Sequence, residues 1–135
     1  ATGLTNGTAY VFKVIAVNAV GSSLPSATSS PVTPASVPSA AVLLSVVAGN
    51  TTATLTWSAP VTNGGSPITD YIVKRSTNGG TTWTRIARPV STLTSYVATG
   101  LINGTAYVFK VIAVNAVGIS LPSATSSPVR PALPV

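Results

Sequence analysis

Gly100-Leu-Ile-Asn-Gly-Thr-Ala-Tyr-Val-Phe-Lys-Val-Ile-Ala-Val-Asn-Ala-Val-Gly118 is the stretch on which the fold turns. Asn103-Gly104 is a turn dipeptide, and the β-branched and aromatic run behind it predicts a strand over Thr105–Ala116. Side chains alternate across a strand. Tyr107, Phe109, Val111 and Ala113 therefore share one face, the expected core face, and Val108, Lys110, Ile112 and Val114 share the other.

The same words occur twice. Residues 1–35 and 98–132, offset by 97 positions, differ only at Thr5/Ile102, Ser22/Ile119 and Thr33/Arg130. Solenoid repeats run about 20 to 50 residues, so a period of this length marks a whole domain in a tandem array. Pro31-Val-Thr-Pro-Ala-Ser-Val-Pro38, with three prolines that fix φ, lies between the copies as an extended, stiff linker. The organisation expected is residues 1–34 as the last two strands of one unit, 35–39 as linker, 40–131 as a complete unit and 132–135 as the start of a further linker.

Within the complete unit, Thr52-Ala-Thr-Leu-Thr-Trp-Ser58 alternates as a half-buried antiparallel strand does. Turn signals recur at Asn63-Gly-Gly-Ser-Pro67, Asn78-Gly-Gly80 and Asn103-Gly104. Seven strands are expected, near Ala41–Val47, Thr52–Ser58, Ile68–Arg75, Thr82–Arg88, Thr94–Ala98, Thr105–Ala116 and Ala124–Val129. The class is all-β, a two-sheet sandwich.

Over Val37–Pro131 the chain resembles the fibronectin type III domain family. The matches are Thr54-Leu-Thr-Trp-Ser-Ala-Pro60, Gly64-Gly-Ser-Pro-Ile-Thr-Asp-Tyr-Ile-Val73 and the stretch from Gly100 to Gly118. The resemblance implies a seven-stranded, immunoglobulin-like sandwich with structural hallmarks at Trp57, Tyr71, Leu101, Tyr107 and Phe109. Tyr107 would be the corner tyrosine whose hydroxyl ties the turn to upstream backbone. The family's Arg-Gly-Asp adhesion tripeptide is absent, and the motifs look more like bacterial or phage copies than animal ones.

Composition narrows the chemistry. The 135 residues contain no Cys, no His and one carboxylate, Asp70, against seven Lys and Arg. Thiol and imidazole catalysis, the usual zinc and iron sites, paired-acid hydrolysis and carboxylate-held calcium all lack their ligands within one chain. The expectation is a non-enzyme with no cofactor. No apolar run reaches the roughly 18 residues of a spanning helix, so a soluble chain is expected, with any export signal removed or outside the sequence given.

Four features carry possible contacts. The outer face Val108, Lys110, Ile112 and Val114 is apolar enough to dock a neighbouring copy, unless lysine stems and loops cover it. Lys74, Arg75, Arg85 and Arg88, within a net charge of +6, suit a weak anionic surface or simple solvation; without interleaved aromatics or a basic helix, no specific nucleic acid is expected. Asn6-Gly-Thr8, Asn50-Thr-Thr52 and Asn103-Gly-Thr105 are glycan acceptor triplets, two of which the turns need anyway. Trp83 would stack on sugars if it faces solvent.

The opening residues pose a packing problem, because Tyr10, Phe12, Val14 and Ala16 form a core face with no sheet of their own. Either the missing strands lie upstream, which is the first reading, or the hairpin is donated to another chain's sandwich. The linker of about six residues reaches roughly 20 Å, too short to span strands of roughly 30 Å and fill the same chain's slot. The reading reached is a structural repeat of an extracellular, cell-surface or virion-surface protein, acting as spacer and contact module and, under donation, polymerising. The alternative is a carbohydrate-associated accessory module of a secreted polysaccharide-degrading enzyme.

Overall fold

The computed structural model describes residues 1–134. Six strands form in chain order: β1 (Val42–Gly49), β2 (Thr52–Ser58), β3 (Asp70–Ser76), β4 (Thr84–Arg85), β5 (Ser95–Ala98) and β6 (Val108–Val114). They make two antiparallel sheets, β1-β2-β5 and β4-β3-β6. The all-β sandwich read from the sequence is what the chain adopts, with shorter strands. Val135 alone, at the end of the segment assigned to a further linker, lies outside the described residues.

The core is the set that alternation singled out. Ala53, Leu55 and Trp57 from β2 meet Tyr71 and Val73 from β3 and Phe109, Val111 and Ala113 from β6, with Leu101 and Tyr107 closing one end. Trp57 packs edge-on to Tyr71 at 5.4 Å between ring centroids. Burial holds the Tyr71 phenol above its ordinary value. The Tyr107 hydroxyl accepts the Ile102 N–H at 3.0 Å, which fixes the chain where it enters β6.

The seventh element departs from expectation. Ala124–Val129 forms no regular strand; the chain from Ser120 to Val129 runs antiparallel to β6 and meets it at every third residue. Ser120, Ser123, Ser126 and Val129 donate their backbone N–H groups to the carbonyls of Ala113, Val111, Phe109 and Tyr107, at 2.8–2.9 Å. In return the three serine hydroxyls accept the N–H groups of Ala113, Val111 and Phe109, each at 2.9 Å. The side-chain oxygen does what the serine's own carbonyl would do in a regular ladder. Pro122 and Pro128, which have no N–H to give, fall between the contact residues.

Residues 1–34 fold by the same rules. Ser23, Ser26 and Ser29 accept the N–H groups of Ala16, Val14 and Phe12 at 2.9 Å, and the Tyr10 hydroxyl accepts the Thr5 N–H at 2.9 Å. Tyr10 and Phe12 stack at 6.3 Å, as Tyr107 and Phe109 do. This ribbon is bare: Phe12 is 41% exposed and Val14 72%, whereas Phe109 and Val111 are fully buried. The opening residues double back through isolated bridges, not through the two regular strands expected, and among the described residues nothing covers their apolar face.

Two copies of one hydrogen-bond pattern, one buried and one open, provide an internal control. Ser123→Ala leaves the buried Val111 N–H without its acceptor and is expected to cost about 1–3 kcal/mol. Ser26→Ala frees an N–H to water and is expected to leave the melting transition unchanged within error. Equal effects in thermal denaturation would refute the ladder's role.

The linker is clamped rather than loose. Ser36 donates its N–H to the Gly64 carbonyl at 2.8 Å, and the Asn115 side-chain amide donates to the carbonyls of Ser36 and Asn63, each at 2.8 Å. A methyl at Gly64, where φ is +76°, would lie 2.1 Å from the Ser36 oxygen. Only glycine lets the loop and linker approach this closely.

Candidate functional site

The outer face of β4-β3-β6 is where the sequence placed the contact patch. Register sets Ile112 opposite Ile72, Lys110 opposite Lys74 and Val108 opposite Ser76. Val108 and Ile112 are each only 5% exposed, while Lys110 and Val114 are half-buried. Neighbours inside the chain thus already cover the apolar part of the patch. Trp83 comes immediately before β4, at the edge of this sheet. The Lys110 ammonium lies 4.2 Å from the centre of the indole ring. A lysine at position 112 would be forced into a buried site, so that substitution reads out folding before it reads out assembly.

Trp83 is half-buried, with Lys110 over its ring and Gly80 so near that a methyl there would lie 3.2 Å from the indole. The ring is engaged in packing, the plainer of its two expected roles, and does not stand as an open platform for a sugar.

The basic residues part company. Arg85, Lys74 and Lys110 stand in one register row across the outer face, which joins Lys110 of the apolar patch to two of the four grouped cations. Arg75 lies 6.0 Å from the Tyr107 ring centre. The Arg88 side chain is 6% exposed: its guanidinium donates to the Tyr71 carbonyl, lies 3.6 Å from Asp70 and stacks 5.0 Å from the Tyr96 ring on the other sheet. It joins the two sheets instead of facing an anionic surface.

Two of the acceptor triplets meet at one corner. Asn103 donates its side-chain amide to the Asn50 side-chain oxygen at 3.0 Å and accepts the Thr51 N–H at 2.8 Å. That second bond holds Thr51, a β-branched residue, at a φ of +55° in the β1–β2 turn. The Asn-Gly spelling of the turn therefore serves structure on both sides of it.

The hallmark residues Trp57, Tyr71, Leu101, Tyr107 and Phe109 are 0–3% exposed and lie in one core cluster. Among the described residues no group of three or more His, Cys, Asp or Glu gathers to hold a metal ion. No helix is long and apolar enough to cross a membrane. Open apolar surface is found on the bare ribbon and also on the outer side of β1 and β5, where Leu44 and Val97 are exposed. In the ribbon, the Thr5 N–H bond holds the Tyr10 phenol below its ordinary value, opposite to the effect of burial on Tyr71.

Comparison with known proteins places this geometry. Residues 36–129 match the fibronectin type III domain. Fast-type myosin-binding protein C of Homo sapiens is 40% identical over 86 residues, which cover 64% of this chain and 8% of that protein. Striated-muscle M-protein of Gallus gallus is 36% identical over 127 residues, covering 90% of this chain and 9% of its own. The chain thus spans less than a tenth of these curated relatives. A crystal structure of domains A168-A170 from titin superposes with a TM-score of 0.67 at 31% identity, covering 95% of this chain and 42% of that one. With its two sheets, corner tyrosine and family match in agreement, the chain belongs to the fibronectin type III family.

Proposed function

We propose that the chain is a noncatalytic structural repeat, a spacer and contact module of a tandem array in a cell-surface, extracellular or virion-surface protein. One observation carries this reading. The same 35-residue hairpin is built twice with the same hydrogen bonds, and a clamped linker joins the first to a complete sandwich. The M-protein similarity supports the tandem part, because an alignment covering 90% of the chain exceeds what residues 36–135 alone can supply. Residues 1–34 are then the C-terminal half of a neighbouring unit, 35–39 the joint and 40–131 a full unit. The relatives are named for muscle, so the surface setting is a separate part of the proposal. Protease shaving of intact producing cells or particles tests it, and it fails if no peptide of the repeat is released.

The half-unit assignment has a direct test. A chain carrying residues 38–97 once more ahead of Ala1 is expected to bury the open ribbon. The amides of Phe12 and Val14 would then exchange hydrogen as slowly as those of Phe109 and Val111, and the protein would sediment as a monomer. Amides that still exchange at solvent rates would overturn the assignment. Hairpin exchange between chains would instead appear as concentration-dependent polymer of the original chain, lost when residues 1–34 are deleted.

A further inference from the structure

The ribbon touches the complete unit through glycine. The turn Asn6-Gly7 sits on Gly65 so closely that a methyl on Gly65, where φ is +85°, would lie 2.4 Å from the Gly7 nitrogen and 2.7 Å from the Asn6 carbonyl carbon. The Asn6 side-chain amide donates to the Ser36 hydroxyl at 3.3 Å, and the Gly7 N–H donates to the Pro34 carbonyl at 2.8 Å. Turn, linker and loop thus form one small backbone-to-backbone seat. No side chain at position 65 fits without moving the turn.

The far end of the complete unit carries the same turn. Asn103-Gly104-Thr105 repeats Asn6-Gly7-Thr8, with glycine φ values of +84° and +82°. The Gly104 N–H donates to the Pro131 carbonyl at 2.8 Å, as Gly7 does to Pro34, and Thr105 to Ile102 at 3.2 Å corresponds to Thr8 to Thr5 at 3.3 Å. Gly104 is exposed, and a methyl there would meet no atom within 4 Å. The linker spacing is also kept, since Leu133 stands two residues after Pro131 as Ser36 does after Pro34. Leu133 keeps the backbone N–H and carbonyl that Gly64 and Asn115 engage at Ser36, and lacks only the hydroxyl.

We propose that the Asn103-Gly104 turn is the docking site for the Asn63-Gly64-Gly65 loop of a following copy of this unit, with Gly65 as the residue that admits it. The inference rests on the tandem-repeat reading and deepens it: successive units meet in a seat of fixed rotation instead of swivelling on a proline tether. The occupant is a second copy because that loop already occupies the equivalent turn in this chain.

The test lengthens the chain after Val135 by a second copy of residues 39–131, which preserves the linker spacing. Amide NMR is expected to show the Gly104 and Thr105 signals displaced from their positions in the original chain. Nitrogen relaxation is expected to show the two complete units tumbling as one elongated body. Gly65→Val in the appended copy alone should return the Gly104 signal to its original place and uncouple the tumbling, with the appended Trp57 indole signal marking a folded copy. Should that variant unfold, the Gly104 displacement in the unsubstituted lengthened chain decides. An unmoved Gly104 signal, or one still displaced beside a folded Gly65→Val copy, overturns the docking site. Two folded units that tumble independently would leave the spacer reading standing without the seat; an appended copy that does not fold would remove the spacer reading itself.

Discussion

Trp57→Ala is expected to lower the stability of the sandwich by about 3–5 kcal/mol, the range for deleting a large aromatic from a close-packed core. Trp57 is 2% exposed and packs against Tyr71 as the last and largest residue of the β2 core face. Domains of this size lose about 4–8 °C of melting temperature per kcal/mol, so a fall of at least roughly 12 °C follows. Trp57→Phe should be far milder. It keeps an aromatic against Tyr71 and removes an indole N–H that finds no acceptor among the described residues. Calorimetry on both variants checks the claim, and an alanine variant melting within a few degrees of the parent would show that the core closes without the indole.

Arg88→Ala should come close to the same size, about 3–5 kcal/mol, by a different route. Asp70 is the chain's single acid and its side chain is 17% exposed. Without Arg88 it keeps the Ser91 N–H, at 3.2 Å, and loses its counter-charge. The Tyr71 carbonyl loses a donor and the Tyr96 ring loses the cation that ties it to the opposite sheet. Removing one partner of a buried pair costs more than removing both. The double variant Asp70→Asn with Arg88→Met is therefore expected to recover most of the loss, because asparagine still accepts from Ser91. A double-mutant cycle in urea measures this, and additive losses would mean that the two residues act separately.

Sequence periodicity revealed the core because β2 and β6 alternate cleanly: each inward residue from Ala53 to Trp57 and from Tyr107 to Ala113 is buried. It failed on the last element because the period there is three, not two. The signal was visible as Ser120, Ser123, Ser126 and Val129, but a search for alternation passes over it. The proposed contact face is less open than alternation alone suggests, for a different reason. Alternation tells which side of a sheet a residue takes, not whether a Trp83 ring from beside the next strand lies against the Lys110 ammonium. Arg88 looked like one of four surface cations, since nothing local shows that the only acid in the chain waits beside it. Gly64 and Gly65 read as turn punctuation; their role at the joint depends on residues some thirty and sixty positions away, Ser36 and Gly7.

The serine ladder has a consequence for a unit held at both ends. The chain enters beside Asn63 and Asn115 at one pole and leaves past Val129 beside Tyr107 at the other. Tension between the poles pulls the last segment lengthwise along β6. Bonds perpendicular to such a pull are strained together in shear, not opened one after another as a zip is. Hydroxyls and amides then share the load as a set, so that in the proposed tandem array a segment that fails to qualify as a strand would be the part that resists traction.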